Sequence, residues 1–469
     1  MEWSRLLSKK RARGYHLGAR KSTDLRSEFE RDYHRIIGSA SFRRLQDKTQ
    51  VFPLDTSDFI RTRLTHSLEV SSFAKSLGQN IGENILKYEK DAGFTPEMKE
   101  DICDILQCAG LIHDIGNPPF GHFGEIEIRE WFQRNLKELK FKGVPVSEIL
   151  NEQMREDFYH FEGNAQALRL VTKLHYLVDE NGMNLTYALL NTIIKYPGSS
   201  LEICGNEGPL KQKKMGYYYA DRAVFADIVN ETGSGENRHP LTFILEAADD
   251  LAYKTADMED AFVKGYISYQ MLENALEELA KCKKGVCKEP LEKLWMYYQR
   301  GKEQKVRDPE SYAVKNWIVQ MQAFLINCAT NGFTDHYDAI MEGTYGHDLF
   351  YQTEGEPLME LLGRMAYEEV FCSQDIYKME IVESVMLDYL LEQFIDAILY
   401  YDTDVELGTI QKRLISFISD NYRSSYRRES EGKSEEEKLY LRLLLVTDFI
   451  CGMTDSFAKR LYQEMKAII

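Results

Sequence analysis

Two residues able to hold a metal ion, His113 and Asp114, stand side by side where an apolar run ends in the turn Gly116-Asn-Pro-Pro119. Adjacent side chains in mid-helix diverge by about 100° around the axis, but at a helix end beside a turn both can face one cleft. Three further features add chemistry of the same kind. His66 sits in Arg63-Leu-Thr-His66-Ser, His122 and Glu125 follow the doublet in Phe120-Gly-His122-Phe-Gly-Glu125, and Asp249-Asp250 interrupts the run Glu246-Ala-Ala-Asp-Asp-Leu. Two imidazoles with two carboxylates form a mixed nitrogen and oxygen set that suits Mn, Fe, Co, Ni or Zn, whereas an all-oxygen site would suit Mg or Ca better. Such an ion polarises a phosphoryl oxygen and lowers the pKa of bound water, which brings hydrolysis at phosphorus within reach.

The elements that must position these residues read as helices. From His66, the residues Val70, Phe73, Ala74, Leu77, Ile81 and Ile85 recur at three- and four-residue steps and predict one long helix with a buried stripe. A second helix is expected from about Glu97 to Ile115, stopped by Gly116 and Pro118-Pro119. A third is expected from about Leu241 to Val263, after the turn-forming Glu231–Pro240 segment. On it, Asp249, Tyr253, Asp257 and Asp260 share a face, while Asp250 is turned about 100° from Asp249. Ala247, Ala248, Ala252 and Ala256 would let neighbouring helices come close. No alternating strand pattern is sustained, so the fold class is mostly α. Lys- and Gly-rich stretches at Gly205–Gly216 and Arg300–Pro309 read as exposed loops, and Arg427–Lys438 as a charged insert. Arg300–Pro309 marks the best boundary, giving an N-terminal arm and start of the core at 1–60, a core at 61–300 and a helical C-terminal region at 301–469.

With 469 residues, 43% hydrophobic and 28% charged, the chain has the profile of a globular protein rather than a fibrous or disordered one. The net charge of −17 disfavours non-specific wrapping of nucleic acid. Residues 1–31 nevertheless carry nine Lys/Arg against four Asp/Glu, a basic arm on an acidic body. The eight cysteines have no zinc-type spacing and read as reduced thiols. No stretch is apolar enough to span a bilayer and the opening residues lack a secretory core, so the expected compartment is the cytoplasm, with no membrane partner.

The ordered motifs are more specific than the doublet alone. Phe42-Arg-Arg-Leu-Gln46-Asp-Lys-Thr-Gln-Val-Phe52, the segments around His66, His113-Asp114 and His122, Phe161-Glu-Gly-Asn164, Lys195-Tyr-Pro, Ala247-Ala-Asp249-Asp250-Leu-Ala-Tyr253 and Asp448-Phe-Ile-Cys-Gly-Met-Thr-Asp455 occur in that order. Together they resemble the HD-domain deoxyguanosine triphosphate triphosphohydrolase family, from about residue 10 to 465. The resemblance implies an HD-domain helical fold and a divalent metal ion, with Mg joining Mn, Co, Fe, Ni and Zn as candidates. Its ligands would be His66, His113, Asp114 and Asp249. It implies that His122 handles a proton and Glu125 orients it, that Arg63, Lys195 and Lys214 contact phosphate, that Tyr253 packs by the deoxyribose, and that Gln46 and Asp257 read the sugar. The implied reaction turns a deoxynucleoside triphosphate, dGTP foremost, into deoxynucleoside and tripolyphosphate. A homo-oligomer, a hexamer by resemblance, a nucleotide effector and single-stranded DNA are implied as further partners. Two other readings are an HD phosphohydrolase acting on another nucleotide, and a nucleotide-sensing or single-strand-binding module with a vestigial site.

Overall fold

The long helices begin where side chains satisfy their first amides. Thr62 accepts from the Thr65 amide and caps the helix Arg63–Lys87; Thr95 followed by Pro96 starts Pro96–Ile112; His239 followed by Pro240 starts Pro240–Lys264, which ends at Gly265 with φ +81°. The computed structural model describes residues 1–13, 24–52, 54, 60–175, 181–205, 208–282 and 288–468, so the middle of the basic arm lies outside the described residues. Helices account for nearly all regular structure, and the sheet among the described residues is a two-stranded antiparallel ribbon, Lys140–Phe141 with Val144–Pro145.

Arg63–Lys87 and Pro96–Ile112 form the most extensive helix pair, and Pro240–Lys264 packs across both. Their buried stripes, including Val70, Ala74, Leu77, Ile105, Leu106, Ile112, Leu245 and Leu251, belong to one continuous hydrophobic core. The close approach depends on Gly110. A Cβ there would lie 2.5 Å from the Ser71 Cα, a backbone clash that a flexible neighbour cannot relieve. Pro309–Asp335 covers Arg63–Lys87 and Pro240–Lys264, while Gln374–Ile398 joins Gly121–Asn135 to Glu435–Cys451. The C-terminal third therefore lies against the elements that carry the HD residues.

Three boundaries differ from the sequence reading. Pro96–Ile112 ends before the HD doublet, leaving His113 at the cap and Asp114 in the turn. Glu289–Glu303 extends through Arg300, and Pro309 already starts the next helix, so the expected exposed loop is shorter, spanning 304–308. Arg427–Lys438 is also largely helical, split between Asp420–Ser430 and Glu435–Cys451, because Ser434 accepts from the Glu437 amide and initiates the second helix within the charged run. No helix among the described residues is long and apolar enough to cross a membrane.

Candidate active site

The three long helices bring His66, His113 and Asp249 together. One ligand atom from each lies within 4.8 Å of the others. His66 Nε2 is 3.2 Å from Asp249 Oδ1 and His113 Nε2 is 3.3 Å from the same oxygen. His113 Nδ1 lies 2.8 Å from the Gly110 carbonyl, so its proton belongs on that side and the Nε2 lone pair points at the carboxylate. Nε2 has no hydrogen-bond partner. Convergent lone pairs on buried imidazole and carboxylate are unfavourable without a shared cation, and this set fits a divalent metal. Burial works against protonation of His113, but Asp114 and Asp249 outweigh it and raise its pKa.

Asp114 stands beside this cluster. Its Oδ2 accepts from Arg63 and lies 3.7 Å from His113 Nε2, while Oδ1 accepts from Asn117 Nδ2 at 2.9 Å. Lys195 Nζ bonds the second oxygen of Asp249 at 2.8 Å. Burial raises the cost of charge on Asp249, yet Lys195 and His113 hold its carboxyl well below the usual range. For Asp250 burial outweighs Lys254 and Lys195 and pushes the carboxyl to about 7. Lys195 is likewise kept protonated, because Asp249 and Glu246 overcome its burial.

A cavity of about 530 Å³ opens beside the cluster, with Arg63, Asp114, His122, Glu125, Lys195, Lys214, Asp249 and Tyr253 on its wall. His122 Nδ1 is 2.9 Å from Glu125 Oε2, and the other oxygen of Glu125 accepts from the Gly163 amide at 2.8 Å. Burial tends to raise the Glu125 pKa, but the His122 hydrogen bond and the Lys214 charge lower it below the usual value. Lys214 pairs with Glu162 at 2.8 Å, and Arg129 reaches both glutamates. Buried anions therefore hold cations at the wall, in positions where an incoming polyanion could take them over.

Two sequence assignments fall elsewhere. Gln46 is exposed in the short 3₁₀ turn Leu45–Asp47 and lines a separate cavity of about 270 Å³ with Lys48, Arg61 and Asp455. The chain leaves that turn, Thr49 pairs with Thr62, and the second glutamine of the motif, Gln50, reaches the site wall instead. Asp257 is 1% exposed one turn beyond Tyr253 and is not on the wall. Burial, reinforced by Asp260, pushes its carboxyl well above the usual range.

The opposite end of the cavity was absent from the sequence reading. It is formed by Tyr367 and Phe371, from the turn Ala366–Phe371, and by Ile376, Glu380 and Glu383, from the helix Gln374–Ile398 that follows. Tyr253 and Phe371 present nearly parallel rings 6.2 Å apart. Glu383 is fully buried, neither carboxyl oxygen has a hydrogen-bond partner, and burial pushes its pKa up to about 9. Burial thus favours its neutral form, beside an aromatic-lined space. Glu162 and Gln50 lie within the ordered sequence motifs, whereas Glu383 carries no local sequence signal.

A helical scaffold that gathers two histidines and an aspartate from three helices beside a His-Asp turn defines an HD-domain protein, and the HD domain sequence model matches residues 63–192. Relatives extend the likeness over the whole chain. The deoxyguanosinetriphosphate triphosphohydrolase-like protein of Listeria monocytogenes serovar 1/2a is 49% identical over 473 residues, covering 100% of both chains. That of Synechocystis is 33% identical over 480 residues, again 100% of both. The deoxyguanosinetriphosphate triphosphohydrolase of Yersinia enterocolitica serotype O:8 is 31% identical over 514 residues, covering 100% of this chain and 99% of its own. The chain belongs to this deoxyguanosinetriphosphate triphosphohydrolase family of HD-domain hydrolases.

Proposed function

We propose that the protein hydrolyses deoxynucleoside triphosphates, dGTP foremost, to deoxynucleoside and tripolyphosphate. The observation that carries this reading is a single cavity that reaches the His66/His113/Asp249 cluster at Asp249 and is also lined by three cationic side chains and the His122–Glu125 pair. A divalent ion of the Mn, Mg, Co, Fe, Ni or Zn group, held by these three residues with Asp114 beside them, would supply Lewis-acid polarisation and a more acidic water. Arg63, Lys195 and Lys214 exchange their carboxylate partners for phosphate oxygens and hold the triphosphate in place. Attack of water on the α-phosphorus forms one P–O bond and breaks the bond to the nucleoside 5′-oxygen. That alkoxide must gain a proton; His122 delivers it while Glu125, fixed by the Gly163 amide, orients the imidazole.

Tyr253 packs against the sugar, with Gln50 on the wall and Asp257 behind the ring. The base occupies the space between Tyr253 and the Phe371 end, where burial favours the neutral form of Glu383, which can both donate and accept a hydrogen bond. The names of the relatives favour guanine. The test is incubation with each dNTP and with GTP, in Mn or Mg, followed by separation of products. Deoxyguanosine and tripolyphosphate from dGTP are expected, with GTP a poorer substrate. His122→Ala should lower kcat about 100-fold while metal stays bound. Release of orthophosphate or pyrophosphate as the first product would overturn the reaction assignment.

A further inference from the structure

The C-terminal motif Asp448–Asp455 is off the site wall, yet it grips three segments that are on it or lead to it. Asp448 accepts from Gln166 Nε2 at 2.8 Å and Arg169 Nε at 2.9 Å, in the helix that follows Glu162. The Cys451 carbonyl accepts from Lys48 Nζ at 2.7 Å, and the same ammonium donates to the Asn117 carbonyl at 2.5 Å. Asp455 uses one oxygen for the Thr49 amide at 2.8 Å and the other for the Phe120 amide at 2.9 Å. Asp455 is 2% exposed and Lys48 3%. The turn between His113 and His122 is thus held from behind by an ammonium at Asn117 and a carboxylate at Phe120.

Phe120 is where such a grip has most effect. Its φ is +64°, a left-handed conformation that a residue with a side chain adopts at a cost and keeps only where its surroundings enforce it. Gly121 continues at φ +63°, with the Arg63 guanidinium 2.5 Å from where a Cβ would stand. The chain then enters Gly121–Asn135, whose second and fifth residues are His122 and Glu125. Rotation at Phe120 would displace that pair relative to His113 and Asp249, which are anchored on other helices.

We propose that Asp455 is a positioning residue for hydrolysis: by fixing the Phe120 amide it sets where His122 and Glu125 stand relative to the metal-type cluster, with Lys48 securing the same turn at Asn117. The role of His122 in this statement rests on the reading under Proposed function. Asp455→Asn keeps the size of the side chain, but its amide accepts from one backbone N–H and turns a donor toward the other. Hydrogen exchange of residues 117–125 should rise tenfold or more while bound metal per chain is unchanged. The kcat for dGTP should fall roughly 10- to 100-fold, the scale of a small displacement of a catalytic group, with KM within a few-fold.

A double-mutant cycle separates positioning from general support of the fold. In a His122→Ala background, Asp455→Asn should lower kcat by less than about threefold, because the group it positions is already gone. The same fall in both backgrounds, or unchanged exchange at 117–125, overturns the proposal. Lys48→Met provides a second variant should Asp455→Asn fail to fold, and it should raise exchange in the same segment; no rise would count against the grip. If the unmodified enzyme turns over no dNTP, the functional reading fails by itself, while the exchange measurement still decides whether Asp455 and Lys48 hold the turn.

Discussion

Two buried clusters of charged residues, built from similar side chains, differ in what they leave unsatisfied. Around Arg169 every guanidinium nitrogen has a carboxylate partner: Asp448 at 2.9 Å, Glu429 at 3.2 and 3.3 Å, and Asp221 at 3.4 Å, with Lys173 adding a second cation. Arg169 is 2% exposed and off the wall of the site cavity. In the cluster of His66, His113 and Asp249 the polar atoms converge, His113 Nε2 has no hydrogen-bond partner, and Arg63 and Lys195, which hold the nearby carboxylates, also face the cavity. A guanidinium paired at every nitrogen ties helices together, even though Asp221 Oδ2 beside it has no hydrogen-bond partner. Incomplete geometry beside an open space prepares for a ligand.

This contrast predicts two variants that fail in opposite ways. The larger effect belongs to His113→Ala, which removes a metal-type ligand: bound metal should be lost and dGTP hydrolysis should fall by more than about 100-fold, beyond the range for residues that only orient ligands. Elemental analysis beside kinetics measures both, and full metal content in the variant would take His113 out of the site. Arg169→Met should instead leave metal per folded chain unchanged and cost about 3–5 kcal/mol in urea unfolding, because Asp448, Glu429 and Asp221 stay buried without their shared cation. Loss of metal without loss of stability in this variant would erase the distinction.

Much of the catalytic end was legible because its residues come in short, ordered motifs on helices with clear apolar stripes. His66 lies near the start of one helix, His113 at the end of the next and Asp249 in the middle of a third; helical spacing also set Asp249, not Asp250, toward Tyr253. Two kinds of position were not legible. Gln46 and Gln50 share one motif, and the backbone reversal after Leu45–Asp47, which no periodicity describes, decides which reaches the cavity. Glu380 and Glu383 arrive from a helix whose pattern is ordinary core packing, and only the tertiary arrangement turns them into the site. The helical starts inside Arg427–Lys438 were obscured for another reason: charge dominated the composition, while Ser434 and Glu437 formed a capping box within it.

The smallest predicted effect concerns the pH response of the Arg169 cluster. Burial tends to raise the Glu429 pKa, but Arg169 and Lys173 reverse this and bring it to about 2, against an ordinary value of 4.5. A carboxyl with a depressed folded-state pKa contributes stability that is complete above its unfolded value and fades as pH falls toward the folded one, so the window runs from about 4.5 down to about 2. Asp448, in the same cluster, is shifted upward because burial outweighs Arg169, and it acts with the opposite sign. The unmodified protein alone would mix the two. Comparison with Glu429→Gln reads the first together with its coupling to Asp448, whose pKa the Glu429 charge also raises. Urea midpoints should differ most at pH 6, and the gap should narrow steadily below pH 4.5 as Glu429 takes up its proton and comes to resemble the amide. Metal content, measured on the same samples at pH 6, should be equal. A gap independent of pH would mean that Glu429 acts through packing rather than charge, and the Arg169 cluster would then lose the electrostatic character that sets it apart from the site.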